Sequence, residues 1–209
     1  MREGIKISSQ LLVEGNDDLH VILALCQKFE LLQNFEIINC NGVENLYSQV
    51  PVRFKQSEIN IIGIIIDADN DILSRWIPLK NLLTFQGFNI PDVLPKEGLI
   101  LENEIGKKIG VWIMPNNNLN GMLEDFINFL VPKDDKLLPM VRSTLDHIEK
   151  EKLNKYSLIH KSKAIIHTWL SWQEDPGTPM GLAITKKYLT TDEQNCLIFT
   201  NWLKALFNH

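Results

Sequence analysis

Glu14, Asp67 and Asp69 each follow an apolar run that reads as a buried strand. Glu14 closes Gln10-Leu11-Leu12-Val13 and opens Glu14-Gly15-Asn16-Asp17-Asp18, and Asp67 and Asp69 come directly after Asn60 to Ile66. Ligands of open parallel sheets collect outside the carboxyl ends of the strands. If these two strands are neighbours, the three carboxylates converge on one point. Alternate residues of an extended segment point the same way, so Asp67 and Asp69 can share that point. Asp18 lies one helical turn beyond Glu14 and approaches from the side. Clustered carboxylates raise one another's pKa. A hard divalent cation with oxygen ligands, Mg²⁺ or Mn²⁺, resolves that conflict. Such an ion keeps positions open for phosphate oxygens, so the chemistry indicated is phosphoryl or phosphodiester transfer. A single Asp at a strand end is ordinarily a cap or loop residue; two acidic motifs of this form in one chain weigh against that.

The elements that must position these acids alternate. Gln10–Glu14, Phe35–Asn39, Asn60–Ile66, Leu99–Leu101 and Lys108–Met114 read as strands. Asp17 to Phe29 has helical apolar spacing at Leu19, Ile22, Leu23, Cys26 and Phe29, with acids in its first turn where the helix dipole favours them. Val43 to Val50 reads as a short helix closed by Pro51, Ile72 to Phe85 as a helix interrupted or bent near Pro78, and Gly121 to Leu130 as a further helix. This order predicts an α/β fold with a mainly parallel sheet flanked by helices over residues 1–130. Residues 137–152, 158–172 and 195–207 are all helix-like, so 131–209 is expected to be a helical C-terminal extension packed on the core.

Composition sets the bounds. The chain has 209 residues and a formal charge of −5, with 44% hydrophobic and 22% charged residues. These are globular values, which exclude a disordered tail or a strongly basic nucleic-acid coat. Residues 1–130 hold 10 basic and 17 acidic residues, whereas 131–209 hold 11 basic and 9 acidic. Cys26, Cys40 and Cys196 form no CxxC pattern, which argues against a zinc site or disulfide framework. No signal peptide is evident, and the apolar run at Ile61–Ile66 falls far short of a membrane helix. The expected compartment is cytoplasmic, with no membrane partner.

Leu12-Val13-Glu14-Gly15-Asn16-Asp17-Asp18, followed some fifty residues later by Ile66-Asp67-Ala68-Asp69, resembles the signature of the Toprim domain of topoisomerases, primases and OLD (overcoming lysogenization defect) nucleases. The E-G-x-x-D form is most similar to the OLD branch. Gly110-Val111-Trp112-Ile113-Met114-Pro115 and Gly121-Met122-Leu123-Glu124-Asp125-Phe126 are similar to a small family of stand-alone Toprim-like proteins of undescribed function. The resemblance covers residues 9–130 and continues through Lys163-Ala164-Ile165 and Trp169-Leu170. It implies a Toprim-like sheet in which Glu14, Asp67 and Asp69 hold Mg²⁺. It also implies that Asp18 contributes to a second metal and that Glu124, with Asp125, matches a further acidic element of the metal site; the role assigned to Glu14 is metal ligand or general base. Two metals would clamp the attacking and leaving oxygens. The activity implied is Mg-dependent nuclease or related phosphodiester chemistry on DNA or RNA. The motor of the OLD proteins is absent, since Gly106-Lys107-Lys108 is not a Walker A motif; a separate ATPase is an implied partner protein. No topoisomerase tyrosine is evident.

Glu124 fits a capping-box position if Gly121 is the N-cap. Lys161 and Lys163 open an amphipathic helix. A solvated helix face is the favoured reading of both; the resemblance makes Lys163, one turn from His167, the better of the two for neutralising charge on a phosphate. The histidines are read as lying away from the acidic motifs, and Trp169, Trp172 and Trp202 as core rather than base-stacking residues. Two alternatives remain. One is a haloacid-dehalogenase-like phosphatase, disfavoured because Asp71 stands at a Thr/Val position. The other is a non-catalytic Toprim-like module that binds a metal or phosphate.

Overall fold

The computed structural model describes residues 8–207. Five strands, β1 (Ser9–Val13), β2 (Glu36–Asn39), β3 (Ile61–Asp67), β4 (Leu99–Glu102) and β5 (Lys108–Met114), form one sheet in the order β2-β1-β3-β5-β4. All pairings are parallel except the antiparallel β4–β5 edge. The helices are α1 (Asn16–Lys28), α2 (Val43–Phe54), α3 (Ile72–Phe85), α4 (Leu123–Leu130), α5 (Leu137–Lys150), α6 (Lys161–Ser171), α7 (Met180–Thr185) and α8 (Gln194–Phe207). The fold is α/β, with a mainly parallel sheet flanked by helices and a helical C-terminal part. Among the described residues no helix is long and apolar enough to cross a membrane.

The β-branched run of β3, broken only by Gly63, is explained by burial on both faces. Ile62, Ile64 and Ile66 join Leu46 and Val50 of α2 and Trp76, Leu79 and Leu83 of α3 in one apolar cluster. On the other face Leu11, Ile65 and Trp112 join Val21 and Leu25 of α1, Phe126 and Leu130 of α4, and Phe199, Trp202 and Leu206 of α8. The C-terminal helices therefore complete the core on one side of the sheet.

Glycine makes this closure tight. Gly63 of β3 and Gly110 of β5 are register partners. A Cβ at Gly63 would come within 2.6 Å of Leu11 Cδ1, and one at Gly110 within 2.4 Å of Leu206 Cδ2. The paired glycines form a trough that lets α8 lie directly on the strands.

Several boundaries differ from the sequence reading. Pro51 does not close α2, which runs on to Phe54. Proline costs one intrahelical hydrogen bond; the added turn buries Phe54 against Phe88, with ring centroids 5.4 Å apart. α3 likewise runs through Pro78 as one helix, held by its buried face and by Trp76 Nε1, which donates to the Asp92 carbonyl at 2.9 Å. α7 has no counterpart in the sequence reading, because its six residues after Pro179 are too few to show a period. It packs against α1, where a Cβ at Gly181 would meet the His20 carbonyl oxygen at 2.5 Å.

Candidate metal centre

Strand order decides which loops meet. β1 is flanked by β2 on one side and by β3 on the other. α1 leaves β1 toward the face that carries α8, whereas α3 leaves β3 toward the opposite face. The chain thus parts at the carboxyl ends of β1 and β3 and leaves a crevice there, as expected at a topological switch point. A cavity of about 270 Å³ occupies it, lined by Glu14, Gly15, Asn16, Asp17, Asp18, Gly42, Asp67, Leu123, Glu124 and Lys163.

Glu14 and Asp67 are fixed by backbone amides. The Asp67 N–H donates to Glu14 Oε1 at 2.8 Å, and the Leu123 N–H donates to Asp67 Oδ1 at 3.0 Å. Glu14 thereby ties β1 to β3, and Asp67 caps the first turn of α4. Each carboxylate keeps its second oxygen for another partner. Asp18 Oδ2 accepts from the Gly15 N–H at 3.0 Å across the first turn of α1.

Glu124 reaches the crevice because α4 is pinned to the end of β3. The Asp69 and Gly121 backbones exchange two hydrogen bonds of 2.8 Å. Gly121 sits at φ +139°, and a Cβ there would lie 2.6 Å from Asp125 Oδ2, so glycine is needed. The N-cap of α4 is Met122 rather than Gly121, and the carboxylate that serves the cap is Asp125, whose Oδ2 accepts from the Met122 N–H at 2.9 Å. The capping position considered for Glu124 is therefore Asp125's. Glu124 is buried, 2% exposed.

α6 supplies the cationic wall. Ser162 Oγ donates to Asp125 Oδ1 at 2.6 Å and docks α6 beside α4. Lys163 Nζ then stands 3.5 Å from Glu124 Oε1, and His167 Nε2 stands 3.8 Å from the same oxygen. The reading that no histidine lies near the acids is corrected: one turn of α6 carries His167 to Glu124 as it carries Lys163. Lys161 is turned away, paired with Asp146 and Glu149. Trp169 and Trp202 are buried in the core, whereas Trp172, read as core, is exposed at the end of α6.

Asp69 departs from the expected arrangement. The extended backbone ends at Asp67, Ala68 is buried, and Asp69 has φ +52°. The alternation that would aim Asp67 and Asp69 together is broken. Asp69 Oδ2 accepts from the Arg75 guanidinium, and Asp69 is not part of the cavity lining. Arg75 was not singled out in the sequence, although it lies at the start of the helix that follows the motif.

The electrostatics record crowding. Burial, then the Glu14 and Glu124 charges, push the Asp18 carboxyl up to about 7. Burial, then Asp18, Glu14 and Glu124, hold Asp67 well above the ordinary carboxylate range. Burial raises Glu14 too, opposed by the Asp67 amide and by Arg75. Among the described residues no group of three or more His, Cys, Asp or Glu side chains is already arranged to hold a metal ion. The donor set is nevertheless carboxylate oxygen throughout, the chemistry suited to Mg²⁺ or Mn²⁺.

A protein-family model described as "Protein of unknown function (DUF3226)" matches residues 8–208. The chain belongs to that family, whose reach across core and C-terminal helices agrees with their shared core. No curated protein and no solved structure matches the chain.

Proposed function

We propose that the chain is a Toprim-like, divalent-cation-dependent protein that hydrolyses phosphodiester bonds in nucleic acid. One observation carries this reading: Glu14, Asp18, Asp67 and Glu124 line a single crevice at the carboxyl ends of β1 and β3, with three of the four carboxyls held above their ordinary range. Carboxylates assembled against their own repulsion are relieved by protons or by a cation. Bound Mg²⁺ or Mn²⁺ would supply Lewis-acid polarisation of a phosphate oxygen and an activated water. Asp67 and Glu14 would hold the ion through the oxygens their amide contacts leave over, with Asp18 and Glu124 on the far side. Glu14 can also take the proton of an attacking water. Lys163, about half exposed at the crevice wall, would neutralise charge developing on the phosphate. Its side of the crevice belongs to the mildly basic part of the chain, which suits a polyanionic substrate.

The test is cleavage of plasmid, single-stranded DNA and tRNA with Mg²⁺ or Mn²⁺. Cleavage that disappears in Asp67→Ala supports the reading; activity that persists in Asp67→Ala overturns the site. A second reading, a non-catalytic module that binds a metal or phosphate, is favoured by the engagement of Asp69 with Arg75 outside the crevice. It predicts Mn²⁺ binding that requires Asp67, with none of the three substrates cut. Action with a separate ATPase, and a cytoplasmic setting, belong to the same proposal.

A further inference from the structure

Arg75 is the charged group beside the crevice whose arrangement is least complete. It lies in the second turn of α3, and its side chain is 24% exposed. One terminal nitrogen donates to Asp69 Oδ2, while Nε is buried with no hydrogen-bond partner. A guanidinium presents donors in a planar fork suited to two oxygens of one oxyanion. Here part of that fork lacks an acceptor. Arg75 is also close enough to Glu14 to oppose the rise in its pKa, so it stands between Asp69 and the crevice acids electrostatically.

Asp69 is fixed in its backbone, and its side chain is 28% exposed. Its N–H and C=O are both bonded to Gly121, and its carboxylate makes its hydrogen bond with Arg75. Rotation about the side-chain bonds would exchange that partner without disturbing the β3–α4 junction. Arg75 is similarly anchored, because Tyr47 Oη donates to its carbonyl oxygen at 3.2 Å, and the Tyr47 phenol also interacts with the guanidinium.

We infer that the Asp69–Arg75 pair is a partner-exchange latch: Asp69 passes to a divalent cation in the crevice as the Arg75 guanidinium passes to a phosphate oxygen. The inference rests on the reading of the crevice as a cation and phosphodiester site. With the pair closed, a cation must compete with Arg75 for Asp69, and a phosphate must compete with Asp69 for Arg75. Either ligand, by opening the pair, lowers the cost for the other. Coupling of this kind is reciprocal and commonly amounts to about 5–150-fold in affinity. Direct contact between phosphate and cation adds coupling of its own, so the latch is measured by the part that depends on Arg75.

The experiment is calorimetric titration of Mn²⁺ into the full chain, with and without saturating dimethyl phosphate, a diester that resists hydrolysis. In the wild type dimethyl phosphate tightens Mn²⁺ binding. Arg75→Ala is expected to bind Mn²⁺ alone about 5-fold or more tighter and to lose most of the tightening by dimethyl phosphate. Arg75→Lys keeps the charge without the fork; it is expected to bind Mn²⁺ alone near the wild-type affinity and still lose most of the coupling. Asp69→Asn is expected to weaken Mn²⁺ binding and to let dimethyl phosphate bind without Mn²⁺. Mn²⁺ affinity that is unchanged or weaker in Arg75→Ala, or coupling that survives in both Arg75 variants, overturns the latch while the crevice reading stands. Mn²⁺ binding that is absent, or indifferent to Asp67→Ala, overturns the crevice reading and the latch with it.

Discussion

The middle of β3 and its carboxyl end lie only a few residues apart and make opposite use of the sheet. At Gly63 the strand gives up its side chain so that Leu11, Leu206 and Phe207 close over the backbone with no room left. At Asp67 the same strand delivers a carboxyl into a crevice already holding Glu14, Asp18 and Glu124. The first region is dense and apolar and gains from every contact. The second is crowded with like charge, which protons, backbone amides, Lys163 and Arg75 offset in part. The acids are held together by the β1–β3 pairing and by the amide contacts at Glu14 and Asp67. A stable core can carry an electrostatically strained rim, and such rims are where function is sought.

The largest effect is expected from breaking the dense region. Gly63→Val puts side-chain atoms where even a Cβ meets Leu11 at 2.6 Å and Phe207 at 3.0 Å. Overpacking of this kind costs roughly 3 kcal/mol, so thermal denaturation is expected to show Tm lower by about 6–12 °C. An unchanged Tm would mean that α8 does not seat on the strands as described.

The strained region should respond in the opposite sense. Asp67→Asn keeps an oxygen to accept from the Leu123 N–H and removes one of the mutually repelling charges. The metal-free protein is expected to gain about 2–5 °C in Tm at pH 8, while added Mn²⁺ no longer stabilises it. A fall in Tm would show that the cluster supports the fold rather than straining it.

pH sharpens the same contrast. Asp18 holds its proton more tightly in the folded chain, at about 7, than its ordinary 3.8. Between those values the folded state binds more protons than the unfolded state. Stability is therefore greatest below that window and falls as pH rises through about 7. Urea denaturation of the metal-free chain is expected to show a lower midpoint at pH 8 than at pH 5. Mn²⁺ is expected to restore the midpoint at pH 8 more than at pH 5, since protons and cation compete for the same oxygens. A midpoint that rises with pH would contradict the raised carboxyls.

The smallest change in stability is expected at the cationic wall. Lys163→Ala removes an exposed side chain, so its Tm should stay within about 2 °C of wild type. Cleavage, if the nuclease reading holds, should fall by about 10²–10³-fold. Full activity in Lys163→Ala would remove the lysine from the chemistry and leave it a counter-charge for Glu124.

Much of this was readable from the chain. The apolar runs of β3 and β5 and the spacing of α1 announce themselves because burial on two faces, or on one helical stripe, leaves a period in the sequence. Glu14 and Asp67 could be paired because each ends a strand, and Lys163 and His167 could be placed together by their spacing of four. What the chain did not show was local competition. The backbone turn at Asp69 breaks the alternation, Asp125 rather than Glu124 takes the cap, and Pro51 lies within a helix because Phe54 has a place to pack. α7 left no periodic signal at all.

The sequence by itself determined the alternation of elements and the presence of acids at two strand ends, because both follow from periods of two and 3.6 and from turn chemistry nearby in the chain. Only the tertiary structure decided that β1 lies beside β3, that α4 and α6 bring Glu124, Lys163 and His167 to the same crevice, and that Arg75 takes Asp69. Apart from the Asp69–Arg75 pair, six residues apart, those contacts join residues far apart along the chain. Their distances depend on strand order and helix packing, which local spacing does not encode.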